Sequence, residues 1–430
     1  MGESEDTTPL AAANPAIEIV EERLTPLPPT RPGSSLGSFR AVAAVCLCGI
    51  FAFLNLYVTQ PMLPLLEGIF HTSKSVVGLT VSAATLGVAI SAPLLGALTE
   101  QMNRKRVIVA STIALAVPTL LAATSPGLHT LIVWRFFQGL ISPGIFAITI
   151  TYIGEEWERH AMPIVMSIYV SGTAAGGFLG RVTAGVAADR LNWRWSFFIL
   201  GLMTLAGAAM ISRWLPQEKR VILPEHRVGP AEQLKAMLRH FRNPRLVATF
   251  AAGFGMLFAL VGTFTYITFY LAAAPFGLST EALSYLFAIY LIGLLVTPAG
   301  GVLVTRIGLR AGIGLAVAAC LAGALVTLSH SLWIVVVLGL GLVCTGVFMA
   351  QTTANTFLRV AAPAGGRASA AGLYICCYYV GGTVGGVLPA YMWSIGKWPA
   401  CVALIAGVLA ITLVVALVGW KMPSASQQAI

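Results

Sequence analysis

Polar side chains are scarce in this chain, so each one inside an apolar run calls for a reason. The richest run, TLIVWRFFQGLISPGIFAITITYIGEEW, sets Arg135, Gln138, Ser142, Thr149 and Tyr152 at successive separations of 3, 4, 7 and 3 residues, which on a helix return to one face. An arginine in lipid costs about 2.5 kcal/mol or more. Arg135 is therefore expected to meet a watery cavity, a carbonyl or an anionic group, with Gln138 beside it. Asn55, Tyr57, Thr263, Tyr266 and Tyr270 are further inward candidates, as are the pairs Gln351 with Asn355 and Tyr374 with Tyr378, each sharing a helix face. Amide and phenol groups of this kind stack on and hydrogen-bond an amphipathic organic molecule. Bonding between neighbouring helices is the competing role for any single one. Arg181 lies near the end of its run and is expected either to reach a cavity or to snorkel.

A second group sits at the ends of the runs: Gly96, Glu100, Arg104 and Arg106, then Glu156 and Arg159, then Arg367. Charges there pair strongly only when closure excludes water, which suits a reversible gate. As plain exposed pairs they would be worth about 0 to 1 kcal/mol. No Asp, Glu or His falls in the middle of any run, so proton chemistry would have to use end carboxylates such as Glu100, Glu155 or Glu156. His, Asp and Ser do not gather with nucleophile or metal spacing, which argues against a membrane enzyme. The seven cysteines all lie within apolar runs and read as small packing residues.

The elements that carry these residues follow from composition. Of 430 residues, 57% are apolar and 10% charged, against roughly 25% charged in soluble chains. Apolar runs of 18 or more residues, enough to cross about 30 Å of hydrocarbon, recur near 41–62, 77–98, 107–125, 129–153, 163–187, 196–215, 246–273, 283–304, 312–330, 332–357, 370–393 and 399–420. The expectation is an all-α membrane protein of twelve transmembrane helices. Residues 1–39 form a polar arm, 40–215 and 246–421 two six-helix halves, 216–245 a linker and 422–430 a tail. Pro230 to Phe241 fits either a short surface helix or a plain basic linker. The arm has no signal-peptide pattern, and neither it nor the linker is long enough for a sensor domain.

Charge supplies orientation. With both termini on one side, 20 of the 26 Lys and Arg residues fall on that side and 4 on the other, the positive-inside pattern of cytoplasmic loops. The net charge of +10 is then topology rather than a nucleic-acid footprint. The halves also repeat. An offset of 205 lays Tyr169, Gly176, Gly177 and Gly180 over Tyr374, Gly381, Gly382 and Gly385, and Gly96 and Leu98 over Gly301 and Leu303. Two segments sharing one offset indicate duplicated halves related by an axis along the membrane normal. Pro61, Pro143, Pro298 and Pro389 mark expected bends, and Gly172, Gly176 and Gly180 a flat helix face for close packing.

GALTEQMNRKR, residues 96–106, resembles the G-x-L-x-D-R-x-G-R-[RK]-x signature of the major facilitator superfamily. Glu100, Gln101 and Asn103 depart from it, and in the second half Thr305 replaces the acid while Gly308 is kept. WRFFQG, with Arg135, Gln138 and Gly139, is similar to the R-x-x-Q-G motif of that superfamily's drug:proton antiporter branch. LYVTQPMLPLL, TYIGEEW, SGTAAGGFLGRVTAGV and NWRW look most like the YnfM-type subgroup. The resemblance implies a secondary transporter of the inner membrane, monomeric, with no cofactor and a proton gradient as energy source. It would export a small organic compound, drug-like or sugar-type, by proton antiport. Proton-coupled or facilitated uptake is the alternative, and a membrane enzyme or sensor the alternative of another class. The antiporter branch has a Gly-Pro pair in the glycine-rich span that this chain lacks.

Overall fold

The computed structural model describes residues 39–98, 102–158, 160–218, 237–329, 333–363 and 366–420. Ten helices there are long and apolar enough to cross a membrane. One of them, Ser369–Gly419, turns at Gly396 and Lys397 and so crosses twice. With the shorter Phe39–Leu54 they make the twelve expected spans. Span 1 is Phe39–Leu54 continued by Leu63–Phe70. Spans 2 to 6 are Lys74–Leu98, Arg104–Ala123, Leu128–Ile141 with Pro143–Glu156, Met162–Arg190 and Trp193–Trp214. Span 7 is Pro244–Ala272, and span 8 runs through Thr280–Tyr285, Leu286–Ile292 and Gly293–Ile307. Spans 9 and 10 are Leu309–Val326 and Trp333–Ala361, and spans 11 and 12 are the limbs before and after Gly396 and Lys397. The chain alternates between a basic face, where Phe39, Arg104 and Arg367 begin helices, and an opposite face, where Lys74 and Thr280 do.

Two spans depart from simple helices. Span 1 leaves the helix after Leu54 and re-forms as a 3-10 turn at Gln60–Met62, because Pro61 has no N–H and its ring would strike the carbonyl of Tyr57 in a continuous helix. The span therefore ends at Phe70 rather than near residue 62. Span 8 contains a seven-residue 3-10 stretch, Leu286–Ile292, unusually long for that conformation. Pro298, the expected bend of this span, sits inside the following α-helix. Pro143 opens the second helix of span 4 and Pro389 lies within span 11. Residues 1–38, most of the linker (219–236) and the tail from 421 are outside the described residues, so of the arm only Phe39 is described, and of Pro230 to Phe241 only the helical residues 237–239 and the start of the 3-10 turn His240–Arg242.

The duplication appears in the packing. A Cβ on Gly176 or Gly180 of span 5 would lie 2.1 Å from Ile50 O or 1.8 Å from Leu54 O of span 1. On Gly381 or Gly385 of span 11 it would lie 2.0 Å from Phe254 O or 2.6 Å from Phe258 O of span 7. Both halves thus use the same backbone-to-backbone approach, which only glycine permits.

Candidate functional site

Arg135 is fully buried within the first half. Its Nε donates to Thr80 O at 3.0 Å and one terminal nitrogen donates to Asn55 O at 2.6 Å and to Gln138 Oε1. The other donates to Leu56 O. The break in span 1 turns the Asn55 and Leu56 carbonyls away from a regular helix ladder, and a planar fork of donors matches them. Of the partners foreseen for Arg135, the carbonyl is the one present. Gln138 Nε2 donates onward to Thr119 Oγ1 at 2.8 Å. The rest of the stripe is also enclosed by protein: Ser142 and Thr149 bond back to their own helix, and Tyr152 donates to Pro216 O at 2.9 Å.

Arg181 does not snorkel, as one of its two readings had it. It is 2% exposed and turned inward, because the break of span 1 offers it a partner at its own depth. Nε and one terminal nitrogen donate to Gln60 Oε1 at 2.9 and 2.8 Å, and the other terminal nitrogen to Gly177 O at 2.7 Å. Three rings cover its guanidinium: Tyr57 at 4.9 Å, Phe287 at 4.7 Å and Tyr290 at 4.6 Å. The first belongs to one half and the other two to the other. Arg181 thus lies where the halves meet, between the two discontinuous spans.

The other inward candidates divide. Asn55 Nδ2 donates to Thr204 Oγ1 at 3.0 Å, and Tyr266 donates to Gly386 O at 2.9 Å, so both serve as struts between helices. Tyr374 and Tyr378 stack at 6.0 Å, Tyr378 meets Tyr379 at 5.5 Å, and Tyr379 reaches Phe146 of the first half at 6.3 Å. The buried Tyr374 hydroxyl has no hydrogen-bond partner among the described residues. Gln351 is half-buried and Asn355 exposed.

At the basic face Arg104 pairs with Glu155 at 3.2 Å, and Glu218 Oε1 accepts from the Lys105 amide at 3.2 Å. Burial pushes the Glu218 carboxyl above the usual carboxylate range. Asn103 caps this helix by accepting from the Arg106 amide at 2.9 Å. The Arg106 and Arg367 side chains are exposed, and Glu156 is half-buried. Gly96 lies in span 2, while Glu100 and Arg159 are outside the described residues.

The opposite face joins the halves with residues that sequence reasoning did not single out. Arg190 pairs with Glu281 at 2.7 Å, and Tyr285 donates to the same carboxylate at 3.0 Å. Lys74, paired with Glu67 at 2.6 Å, lies over the rings of Phe269 and Trp393 at 4.9 and 5.6 Å. Ser82 of span 2 donates to Thr383 O of span 11 at 2.7 Å. Gln60 was the signal available for this region, an amide beside a proline inside an apolar run. Among the described residues no group of three His, Cys, Asp or Glu side chains could hold a metal ion.

The Major Facilitator Superfamily model matches residues 45–386. This chain belongs to that superfamily. It is 30% identical over 377 residues to the inner membrane transport protein YnfM of Escherichia coli, covering 87% of this chain and 89% of that one. It is 29% identical over 376 residues to the uncharacterised MFS-type transporter YybF of Bacillus subtilis, covering 87% and 92%. The structure superposes on the nucleoside transporter NupG with a TM-score of 0.74 at 14% identity, over 89% of this chain and 100% of that one, which establishes the fold alone. The protein is a multi-pass membrane transporter of the major facilitator fold rather than an enzyme, and transporters of this superfamily act on small molecules without a cofactor.

Proposed function

We propose that the protein is a monomeric, proton-driven exporter of a small organic compound in a bacterial inner membrane, with the basic face and both termini cytoplasmic. One observation carries the reading. The halves are tied by charge on the opposite face, through Arg190 with Glu281 and Lys74 over Phe269 and Trp393. Ties of this kind between the halves suit a carrier whose opposite face is closed, with rigid halves that rock about a central site. Gly96, Glu100, Arg104, Arg106, Glu156, Arg159 and Arg367 form the gate that closes the basic face in the other conformation. The cavity is built around Tyr57, Tyr374 and Tyr378, with Gln351 and Asn355 toward its rim.

Protons are coupled at Glu155, the carboxylate paired with Arg104. In proteoliposomes, an imposed pH gradient is expected to drive cargo against its own gradient, and Glu155→Gln to leave exchange of cargo for cargo while abolishing the proton-driven component. Cargo that equilibrates without ever accumulating under a pH gradient would refute antiport in favour of facilitated movement.

A further inference from the structure

The site around Arg181 has a chemistry that the exporter reading leaves open. A guanidinium stays protonated at any physiological pH, and membrane-buried charges pair with one another or mark a substrate pathway. Among the described residues Arg181 has no carboxylate partner: its side-chain acceptor is the neutral amide of Gln60. Nor does the sequence hold an Asp or Glu between Glu67 and Glu100, between Glu158 and Asp189, or between Glu281 and the C-terminus, so spans 2, 5 and 9 to 12 carry none in their middles. The other buried cation, Arg135, is engaged by three carbonyls and Gln138. Arg181 is thus a positive charge held in a dry interior by polarisable neutral groups.

Its cover comes from both halves. Phe287 and Tyr290 belong to the 3-10 stretch Leu286–Ile292, where residues three apart eclipse. An α-helix would splay the two rings by about 60°, whereas here both lie over one guanidinium. A long 3-10 segment inside a helix is a common place for a hinge. Both rings come from the half opposite Arg181, while Gln60, Gly177 and Tyr57 come from its own. Separation of the halves on the opposite face would remove two of the three rings and the 3.4 Å bond from Gln60 Nε2 to Thr265 Oγ1, and leave the hydrogen bonds of Arg181 itself intact. The bared cation would then stand between two broken spans, the position in which transporters of this architecture bind substrate.

We propose that the transported compound is an organic anion and that Arg181 is its recognition cation, sheltered by Phe287 and Tyr290 in this conformation and offered to the anion when the opposite face parts. The proposal rests on the carrier reading, and it implies that ring cover and anion compete for the same guanidinium. Purified full-length protein would be titrated with probes of matched skeleton, benzoate against benzamide and gluconate against glucose, while thermal unfolding is followed. At least one carboxylate is expected to stabilise the protein at a concentration where its neutral twin does not. That effect should weaken about tenfold or more in Arg181→Gln and be partly kept in Arg181→Lys. Phe287→Leu keeps bulk but removes a ring, so it should bind the carboxylate about two- to fivefold more tightly, a gain that a damaged fold would not produce. Carboxylates no better than their neutral twins, or binding unchanged in Arg181→Gln and Phe287→Leu alike, would overturn the assignment. Proteoliposome counterflow separates the two readings. Neutral probes moving while carboxylates neither bind nor move would sink the anion and leave the carrier. Carboxylates that bind through Arg181 but never cross would sink the carrier and leave the site.

Discussion

Replacing Arg135 with Met tests whether the centre of the first half is a structural clamp or a point of contact with cargo. The guanidinium closes the break of span 1 by donating to Asn55 O and Leu56 O, and also reaches Thr80 O and Gln138 Oε1. Thr80 lies inside the continuous span 2, so its carbonyl has a helix ladder to fall back on. The Asn55 and Leu56 carbonyls follow the helix Phe39–Leu54 and would be left short of a donor at a depth without bulk water. An acceptor stranded in a dry interior costs about 1 to 3 kcal/mol, so two cost roughly 2 to 6 kcal/mol. Arg135→Lys keeps the charge on a single nitrogen that cannot span both carbonyls, and about half the loss should remain. Equilibrium unfolding in mixed micelles would measure this. The reasoning fails if Arg135→Met is as stable as the parent, or if it is stable yet no longer binds a compound that the parent binds.

Other perturbations follow from the same geometry. Gly180→Ala puts a methyl group 1.8 Å from Leu54 O, a backbone atom that cannot step aside, while Gly300→Ala comes no nearer than 3.6 Å to Met349, an ordinary contact. The first should lose about 1 to 3 kcal/mol or more and the second should be neutral to slightly stabilising, by the same unfolding assay. Arg104→Glu and Glu155→Arg should each slow exchange of cargo for cargo, which needs no proton, and their combination should recover part of that exchange rate, with a coupling energy of about 0 to 1 kcal/mol for this partly exposed pair. Full loss in the double variant would argue against a charge-pair gate. His240 is buried against Gly366, shares a 2.7 Å hydrogen bond with Ser369, and has its pKa lowered by burial. Because the folded protein resists protonating it, stability should be full above about pH 6.5 and fall as pH drops below that value toward the lowered one. His240→Gln should flatten the slope over that window.

Periodicity and composition carry far in this chain because each span must satisfy its own backbone in lipid. The twelve runs, the offset between Tyr169 and Tyr374 and the inward stripe through Arg135 are all written in residue types. What escaped is of two kinds. The 3-10 stretch Leu286–Ile292 has no proline or glycine to announce it. The proline expected to bend span 8, Pro298, follows later inside a helix, since neighbouring helices re-satisfy the groups it frees. Pairings between distant segments were also invisible. Phe287 and Tyr290 look like ordinary apolar filling until the fold sets them over Arg181, and Arg190 reveals its partner only when spans 5 and 8 lie side by side.

The choice of groups that tie the halves together has its own logic. The cations come from the first half, as Lys74, Arg181 and Arg190, and what receives them comes from the second, as rings at Phe269, Trp393, Phe287 and Tyr290 and the carboxylate of Glu281. A closure made of buried ion pairs would cost several kcal/mol to break, because each parted charge would need a full hydration shell. A ring needs none, and an arginine or lysine leaving it gives up only about 0.5 to 2 kcal/mol. Shifting a two-state carrier from one part in a hundred to ninety-nine takes about 5.5 kcal/mol, so two such contacts lie within what binding of one ligand can reverse. The arrangement therefore predicts a graded response. Phe287→Leu or Trp393→Leu alone should raise the accessibility of a cysteine placed at Ser82 to a membrane-impermeant thiol reagent, and the two together should raise it further. Equal labelling in all four proteins would show that the rings do not hold this face shut.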